Sequence, residues 1–421
     1  MTLEAGCVTG LTRMPDPIRL LHFADLHIGM ENYGRLDART GTSSRVRDFL
    51  DRMDEVVDYA LANRADVAIF SGDAFKTRDP NPTQQREFAS RLKRLADNMP
   101  VLLLVGNHDL PGMASKATSV DIFDALDVPN VIVGSEPAGK VVVTQRGPFF
   151  LAWMPYPMRN RLLTQEQHRG KSVEELDQAL RLAVATLVKD LSEQATEYKM
   201  PRVLSGHFSV AEAMLGSERS VMLGRDVAVY NSALAEPAWD YVALGHIHKH
   251  QDVNPGAYPS VVYPGSLERI DFGEEKEPKG FCWVDLARGE TKWKFVPVDA
   301  RSFLTIRVDV RGSNDPTGAV MRAIEKSDVE GVVVRLILQL KADQSLALRD
   351  AEIDTALDAA YSHTVAREVD HEARTRIGGL AAETLTPSEL LERYLLDKGY
   401  SDERMQPLLA VANGIFHGSD E

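Results

Sequence analysis

Tyr241-Val242-Ala243-Leu244-Gly245-His246-Ile247-His248, near the middle of the 421-residue chain, is a short apolar run, a glycine and two histidines one residue apart. The run reads as a strand, and an extended chain leaving it can put both imidazoles on one side. That geometry suits metal ligation. A lone His-x-His equally suits a solvated loop, so its meaning depends on whether other strand ends carry matching donors.

Four other runs do. Ile18-Arg19-Leu20-Leu21-His22-Phe23 leads to Asp25-Leu26-His27, and Val67-Ala68-Ile69-Phe70 to Ser71-Gly72-Asp73. Val101-Leu102-Leu103-Leu104-Val105 leads to Gly106-Asn107-His108-Asp109, and Arg202-Val203-Leu204-Ser205 to Gly206-His207-Phe208. The mostly apolar runs are of the kind that parallel sheets bury on both faces. Between them, apolar residues recur at three- and four-residue steps from Val46 to Ala60 and from Phe88 to Met99, so helices separate the strands. A long helix is expected over 173–198, and further strands over 261–263, 281–285 and 292–297. The fold class is therefore α/β, with polar clusters at strand carboxyl ends, where such sheets place their ligands.

Asp25, His27, Asp73, Asn107, His108, His207, His246 and His248 are the candidate site. Each residue alone is explained as well by a helix cap or a bonded loop. Five metal-capable clusters at five strand ends are not. Imidazole, carboxylate and amide donors together suit manganese, iron or zinc better than calcium or a thiolate-selected metal. Seven ligands exceed what one ion with open positions needs and suit two ions sharing a carboxylate, with Asp73 as the bridge. Two ions roughly 3.5–4 Å apart can activate a water nucleophile and stabilise both oxygens of an in-line displacement at phosphorus. Phosphoester hydrolysis is the expected chemistry. His108, next to Asn107, is the candidate to protonate the leaving oxygen, since histidine titrates near neutral pH. Lys76 and Arg78, just past Asp73, are candidates for phosphate contact. His22, His250 and His363 lie outside the pattern and read as ordinary histidines.

A hydrophobic content of 44% and a charged content of 26% are those of a soluble globular protein. Cys7 and Cys282 make neither a disulfide framework nor a zinc ribbon, and a reducing compartment fits. No apolar run reaches the roughly 18 residues of a membrane span, and no secretory start is present, so a cytoplasmic protein is expected. The formal net charge of −14 argues against coating nucleic acid by bulk attraction. Any DNA contact has to be local or helped by a metal or a partner.

Residues 1–17 read as a disordered leader. The texture changes near residue 300: strands with one apolar face (Leu304, Ile306, Val308, Val310; then Val332, Val334, Leu336, Leu338, Leu340) alternate with helices near 316–327 and 349–361, and a strand follows over 365–370. That order suits a small α+β domain. Residues 371–385 read as a linker. Thr386-Pro387-Ser388-Glu389 is a helix start, with Thr as N-cap, Pro first and Glu third. A second helix, interrupted or started by Pro407, completes a pair whose apolar residues must pack on the chain itself or on a partner.

Taken in order, Asp-x-His, Gly-Asp, Gly-Asn-His-Asp, Gly-His and Gly-His-x-His resemble the signature of the calcineurin-like metallophosphoesterases. Ala24-Asp25-Leu26-His27-Ile28-Gly29, Gly245-His246-Ile247-His248 and Tyr263-Pro264-Gly265-Ser266 followed by Glu268-Arg269-Ile270-Asp271-Phe272 are similar to the SbcD nuclease subunits within it. The likeness is specific over 18–300 and rests on pattern beyond. It implies a β-sandwich flanked by helices over 18–299, a DNA-binding capping domain over 300–370, and a helix-loop-helix over 386–416 that binds an SbcC-type ATPase. It implies a nuclease in DNA end processing and double-strand-break repair: a 3′–5′ double-strand exonuclease and single-strand or hairpin endonuclease, homodimeric and nucleoid-associated. Two divalent ions are implied, manganese first, with magnesium, iron or zinc as alternatives. Asp25, His27, Asp73 and His248 would hold one ion, Asp73, Asn107, His207 and His246 the other, and His108 would be the catalytic histidine. Lys76 stands where relatives often carry a second functional histidine. A small-molecule phosphodiesterase or phosphatase, or a non-catalytic adaptor of the ATPase, are the competing readings.

Overall fold

The computed structural model describes residues 16–36, 41–111, 116–158, 170–215, 228–370 and 386–416. Nearly all of the expected leader and the whole of the expected linker lie outside them. The described residues fall into two compact units, one within Met1–Thr305, Asp328–Arg335 and Ala359–Thr364, the other within Ile306–Ser327, Leu336–Asp358 and Val365–Glu421. This division runs through three strands rather than at residue 300.

In the first unit β1 (Ile18–Phe23), β2 (Val67–Phe70), β3 (Val101–Leu104) and β4 (Val131–Gly134) form a parallel run. A second run is built from β5 (Ala138–Thr144), β6 (Gly147–Met154), β7 (Arg202–His207), β10 (Tyr241–Gly245), β11 (Gln251–Asp252) and β12 (Ser260–Tyr263); β8 (Ser209–Val210) and β9 (Ala228–Val229) pair separately. β13 (Gly280–Leu286) and β14 (Lys292–Pro297) add antiparallel strands beside β1, so the two six-stranded sheets run β14-β13-β1-β2-β3-β4 and β11-β12-β10-β7-β6-β5.

The alternation of each strand explains the layers. Leu20, Val67, Ile69, Leu102 and Leu104 of one sheet meet Leu151, Val203, Tyr241, Ala243 and Val262 of the other in a shared core. Their neighbours Leu21, Phe23, Phe70 and Leu103 face away, onto α1 (Ser44–Ala62) and α2 (Pro82–Ala96). α3 (Asp121–Ala125) is a short helix before β4. On the other sheet Phe150, Leu204, Val242 and Leu244 cover themselves with Val184, Val188 and Leu191 of α4 (Val173–Thr196). The result is a β-sandwich flanked by helices. Each fully buried aliphatic or phenyl side chain in it contributes about 1.5–3 kcal/mol relative to exposure. Capping boxes, Asn81 with Gln84 and Ser172 with Glu175, fix where α2 and α4 begin.

β15 (Phe303–Asp309), β16 (Val333–Lys341) and β17 (Ser362–Asp370), whose later residues belong to the second unit, form a three-stranded sheet, with α5 (Pro316–Glu325) and α6 (Asp350–Ala356) between them in sequence. α6 is shorter than the expected helix, because Leu357 and Ala360 stay buried after it ends and prolong the apolar spacing. α7 (Pro387–Asp397) starts on the expected Thr386–Glu389 capping box. It packs on α8 (Asp402–Phe416), which runs through Pro407 instead of starting there. No described helix is long and apolar enough to cross a membrane.

Candidate metal centre

Strand register brings the polar clusters together. Phe23 lies beside Phe70 and Phe70 beside Leu103, so three strands of the first sheet end level with one another. In the second sheet Gly245 pairs with His207. Ser71 ties the sheets together: its Oγ lies 3.1 Å from Ser205 Oγ, and its carbonyl accepts from His207 Nδ1 at 2.6 Å. Past the strands the backbone turns sharply. Asp25, His27, Asp73 and His246 have φ values of 53°, 47°, 62° and 102°, in the region that side-chain-bearing residues rarely adopt. Such strain gathers at functional sites, where the surroundings hold it in place. Gly106 is required by close approach, since a Cβ there would lie 2.2 Å from Asp73 Oδ1.

All seven expected ligands and His108 converge. Three groups of donors each fit within 4.8 Å: Asp25, His27 and His248; Asp73, His207 and His246; and His27, Asp73 and His108. His27 Nε2 and His248 Nε2 lie 3.0 Å apart. Asn107 Oδ1 is 3.0 Å from His207 Nε2 and 2.9 Å from His246 Nδ1. Asp73 Oδ2 lies 3.4 Å from His207 Nε2 in its own group and 3.8 Å from His27 Nε2 in the first. Asp25 accepts the His246 amide at 3.0 Å.

This arrangement fits divalent ions on chemical grounds. With Nδ1 of His207 donating to Ser71, its Nε2 presents a lone pair to two oxygen acceptors. A proton or a cation reconciles those groups. The carboxylates favour positive charge here: burial lowers the His207 pKa, but Asp73 and Asp25 outweigh it and raise it to about 9. For Asp73, burial pushes the carboxyl up, and His207 with the other imidazoles holds it below the usual carboxylate range. His27 is driven well below its ordinary value by burial and stays neutral, as a ligand must be, and its buried Nδ1 has no hydrogen-bond partner.

His108 is half-buried, its amide donating to Asp73 Oδ1 at 2.8 Å and its Nδ1 bonded to the Lys76 carbonyl at 2.8 Å. Lys76 and Arg78 line a cleft of about 390 Å³ together with Asn107 and His108. His22 is buried against the Tyr241 hydroxyl and the Leu244 carbonyl, and His250 stacks on Phe295. Neither belongs to the three donor groups.

Three side chains gained no role from the sequence. Asp109 accepts the amides of Asp73, Gly106 and Ala74, at 2.9, 3.0 and 3.1 Å, and so clamps the loop that carries Asp73. Its place in the Gly-Asn-His-Asp cluster was the available signal. Glu274 lies 2.9 Å from His248 Nδ1 and Lys279 2.8 Å from Glu274; a charged stretch after Phe272 gives no sign that both are buried.

Residues 18–250 match the family model described as calcineurin-like phosphoesterase. The chain is 24% identical over 397 residues to the DNA double-strand break repair protein Mre11 of Thermoplasma acidophilum, covering 92% of each. It is 27% identical over 282 residues to the SbcD component of the SbcCD nuclease of Bacillus subtilis, covering 65% of this chain and 67% of that one. Against the SbcD component of the SbcCD nuclease of Rhodobacter capsulatus the identity is 26% over 369 residues, covering 81% and 85%.

Proposed function

Because the chain belongs to the calcineurin-like phosphoesterase family and is a divalent-metal-dependent phosphodiester hydrolase, we propose that its substrate is DNA and that it serves in DNA end processing and double-strand-break repair. The observation that carries this reading is the convergence of eight donors from five strand ends, in a chain that aligns over most of its length with repair nucleases. Asp25, His27, Asp73 and His248 hold one ion, and Asp73, Asn107, His207 and His246 hold the other. Manganese is the ion that the likeness to SbcD-type nucleases favours, and the imidazole and carboxylate donors suit iron or zinc as well. When bound, the ions supply Lewis-acid activation of water and neutralise charge on the phosphoryl oxygens.

The chain's own residues do the rest. Asp73 reaches both donor groups and keeps them in register. With Nδ1 committed to the Lys76 carbonyl, His108 exchanges its mobile proton at Nε2 and protonates the leaving oxygen. Lys76 and Arg78 offer local positive charge beside that histidine, which a chain of net charge −14 needs in order to hold a phosphate backbone. Residues 300–370 form the DNA-capping part, and 386–416 dock an SbcC-type ATPase. Tyr394, Leu396, Leu408 and Val411 on the helical pair are exposed apolar residues suited to such a partner. A homodimer in the cytoplasm, on the nucleoid, completes the assembly.

Manganese-loaded protein offered linear duplex DNA and a chromogenic phosphodiester decides the substrate class. Degradation of the duplex is expected. Rapid turnover of the small ester with intact DNA establishes a small-molecule phosphodiesterase instead, and no turnover of either establishes a non-catalytic adaptor. Deleting residues 386–421 should abolish ATPase binding and leave intrinsic cleavage in place; retained binding refutes the docking role.

A further inference from the structure

Behind His248, away from the convergent donors, lies a buried ionic assembly that the sequence did not announce. Glu274 ends the short 3-10 turn Phe272–Glu274 and is fully buried. Both its carboxylate oxygens are engaged. Oε1 lies 2.9 Å from His248 Nδ1, and Oε2 accepts from the Lys279 ammonium at 2.8 Å and from the Ile270 amide at 3.0 Å. Lys279, 2% exposed, donates in addition to the His248 carbonyl at 3.2 Å and to Ser266 Oγ at 2.9 Å. The Ser266 amide reaches the same carbonyl at 3.0 Å. Ring and backbone of one histidine are therefore gripped by Glu274 and Lys279, whose ammonium also meets Glu277 Oε2 at 3.2 Å.

Stability alone gives no reason for this arrangement. Apolar residues of similar volume fill a core without the desolvation cost of two buried charges. The grip has a clear chemical consequence instead. A carboxylate paired with an ammonium is an acceptor only, so the proton between Glu274 and His248 resides on Nδ1. Nε2 is left with its lone pair, 3.0 Å from His27 Nε2. His207 has only a backbone carbonyl, that of Ser71, in the corresponding place. A carboxylate accepts more strongly and makes the imidazole a more basic ligand.

We propose that Glu274, backed by Lys279, is a positioning residue of the metal centre that locks His248 in its Nδ1–H tautomer and aims Nε2 at the ion shared with Asp25 and His27. The inference rests on the two-ion reading above. It confines the effect to one of the two ions, which a general structural role does not.

The test is manganese titration of the full chain, wild type and Glu274→Gln in parallel, by calorimetry and electron paramagnetic resonance, with urea unfolding of the apo proteins as the folding control. Wild type is expected to bind two ions and give an exchange-coupled signal. In Glu274→Gln one site weakens by roughly 10–100-fold and the other does not, so an uncoupled six-line signal appears at manganese levels that couple the wild type. Equal affinities at both sites in the two proteins overturn the inference and leave the two-ion reading standing. Absence of manganese uptake by the wild type overturns both. If Glu274→Gln does not fold, wild type loaded with zinc and carrying 15N-histidine gives the answer. A slowly exchanging Nδ1–H on His248, assigned by its loss in His248→Gln, supports the proposal, and a protonated Nε2 there overturns it.

Discussion

Replacing Asp109 by Asn keeps the shape of the side chain and removes one acceptor oxygen and the charge. Oδ2 now holds the Asp73 and Gly106 amides, and Oδ1 holds the Ala74 amide at 3.1 Å and the Ser119 hydroxyl at 3.1 Å. An asparagine oxygen in the Oδ2 position turns its NH2 toward the Ala74 N–H, while Ser119 can reverse and accept. The Ala74 amide then keeps only its longer bond, 3.4 Å to the Oδ2 position, and two charge-assisted bonds become neutral, at roughly 1 kcal/mol each. These hydrogen bonds amount to about 2–3 kcal/mol, against a typical stability of roughly 5–15 kcal/mol. Burial and the neighbouring Asp73 charge push the Asp109 carboxyl up to about 6, so the ionised side chain is disfavoured in the fold, and the gap between wild type and Asp109→Asn should narrow as pH rises from about 4 to 6 and stay constant above. Because the same bonds hold Asp73 at its φ of 62°, manganese affinity should fall together with stability. Urea unfolding and calorimetric titration of wild type and Asp109→Asn measure the two. A stability loss under about 1 kcal/mol with unchanged manganese affinity would refute the view that Asp109 clamps the bridging carboxylate.

Other perturbations separate catalysis from scaffolding. Burial pushes the Asp48 carboxyl up, but the Arg301 hydrogen bond and the Arg45 charge outweigh it and hold it below its ordinary value. With a folded value below the unfolded one of about 3.9, its contribution is complete above roughly pH 4 and is lost as pH falls through the folded value. Asp48→Asn should therefore be less stable than wild type at pH 7, with the gap closing in acid; a gap that is constant from pH 7 to 3 contradicts this. His108→Ala should slow DNA cleavage by roughly 10²–10⁴-fold while still binding two manganese ions. Loss of one ion would place His108 among the ligands instead. Neutralising Lys76 and Arg78 together as Lys76→Gln/Arg78→Gln should weaken DNA binding and flatten its salt dependence by about one unit of log–log slope for each phosphate that is no longer neutralised. An unchanged slope removes them from the interface.

The sandwich and the donors were legible because both are written locally. Apolar runs such as Val101–Leu104 end in glycine-bearing polar clusters, and the strand end places the ligand whatever its partner. Partnership was not local. His27 and His248 meet across 221 positions of chain, and nothing in either motif shows which imidazole faces which. Asp109, Glu274 and Lys279 were passed over for a related reason. A charged residue beside a motif reads as solvated, and only packing shows Glu274 and Lys279 to be buried against one another. Element ends were blurred where burial outlasts secondary structure, as at Leu357 and Ala360, or where pairing defines a strand that hydropathy does not, as at Ser362-His363-Thr364. Pro407 reads in sequence as an interruption or a start because it lacks an amide proton, yet α8 tolerates one missing hydrogen bond in fifteen residues.

An anomalous difference map from crystals grown with manganese tests the central claim most directly. The account predicts two peaks roughly 3.5–4 Å apart, one among Asp25, His27 and His248, the other among Asn107, His207 and His246, with Asp73 reaching both. A single peak, or two peaks that do not share Asp73, would contradict it.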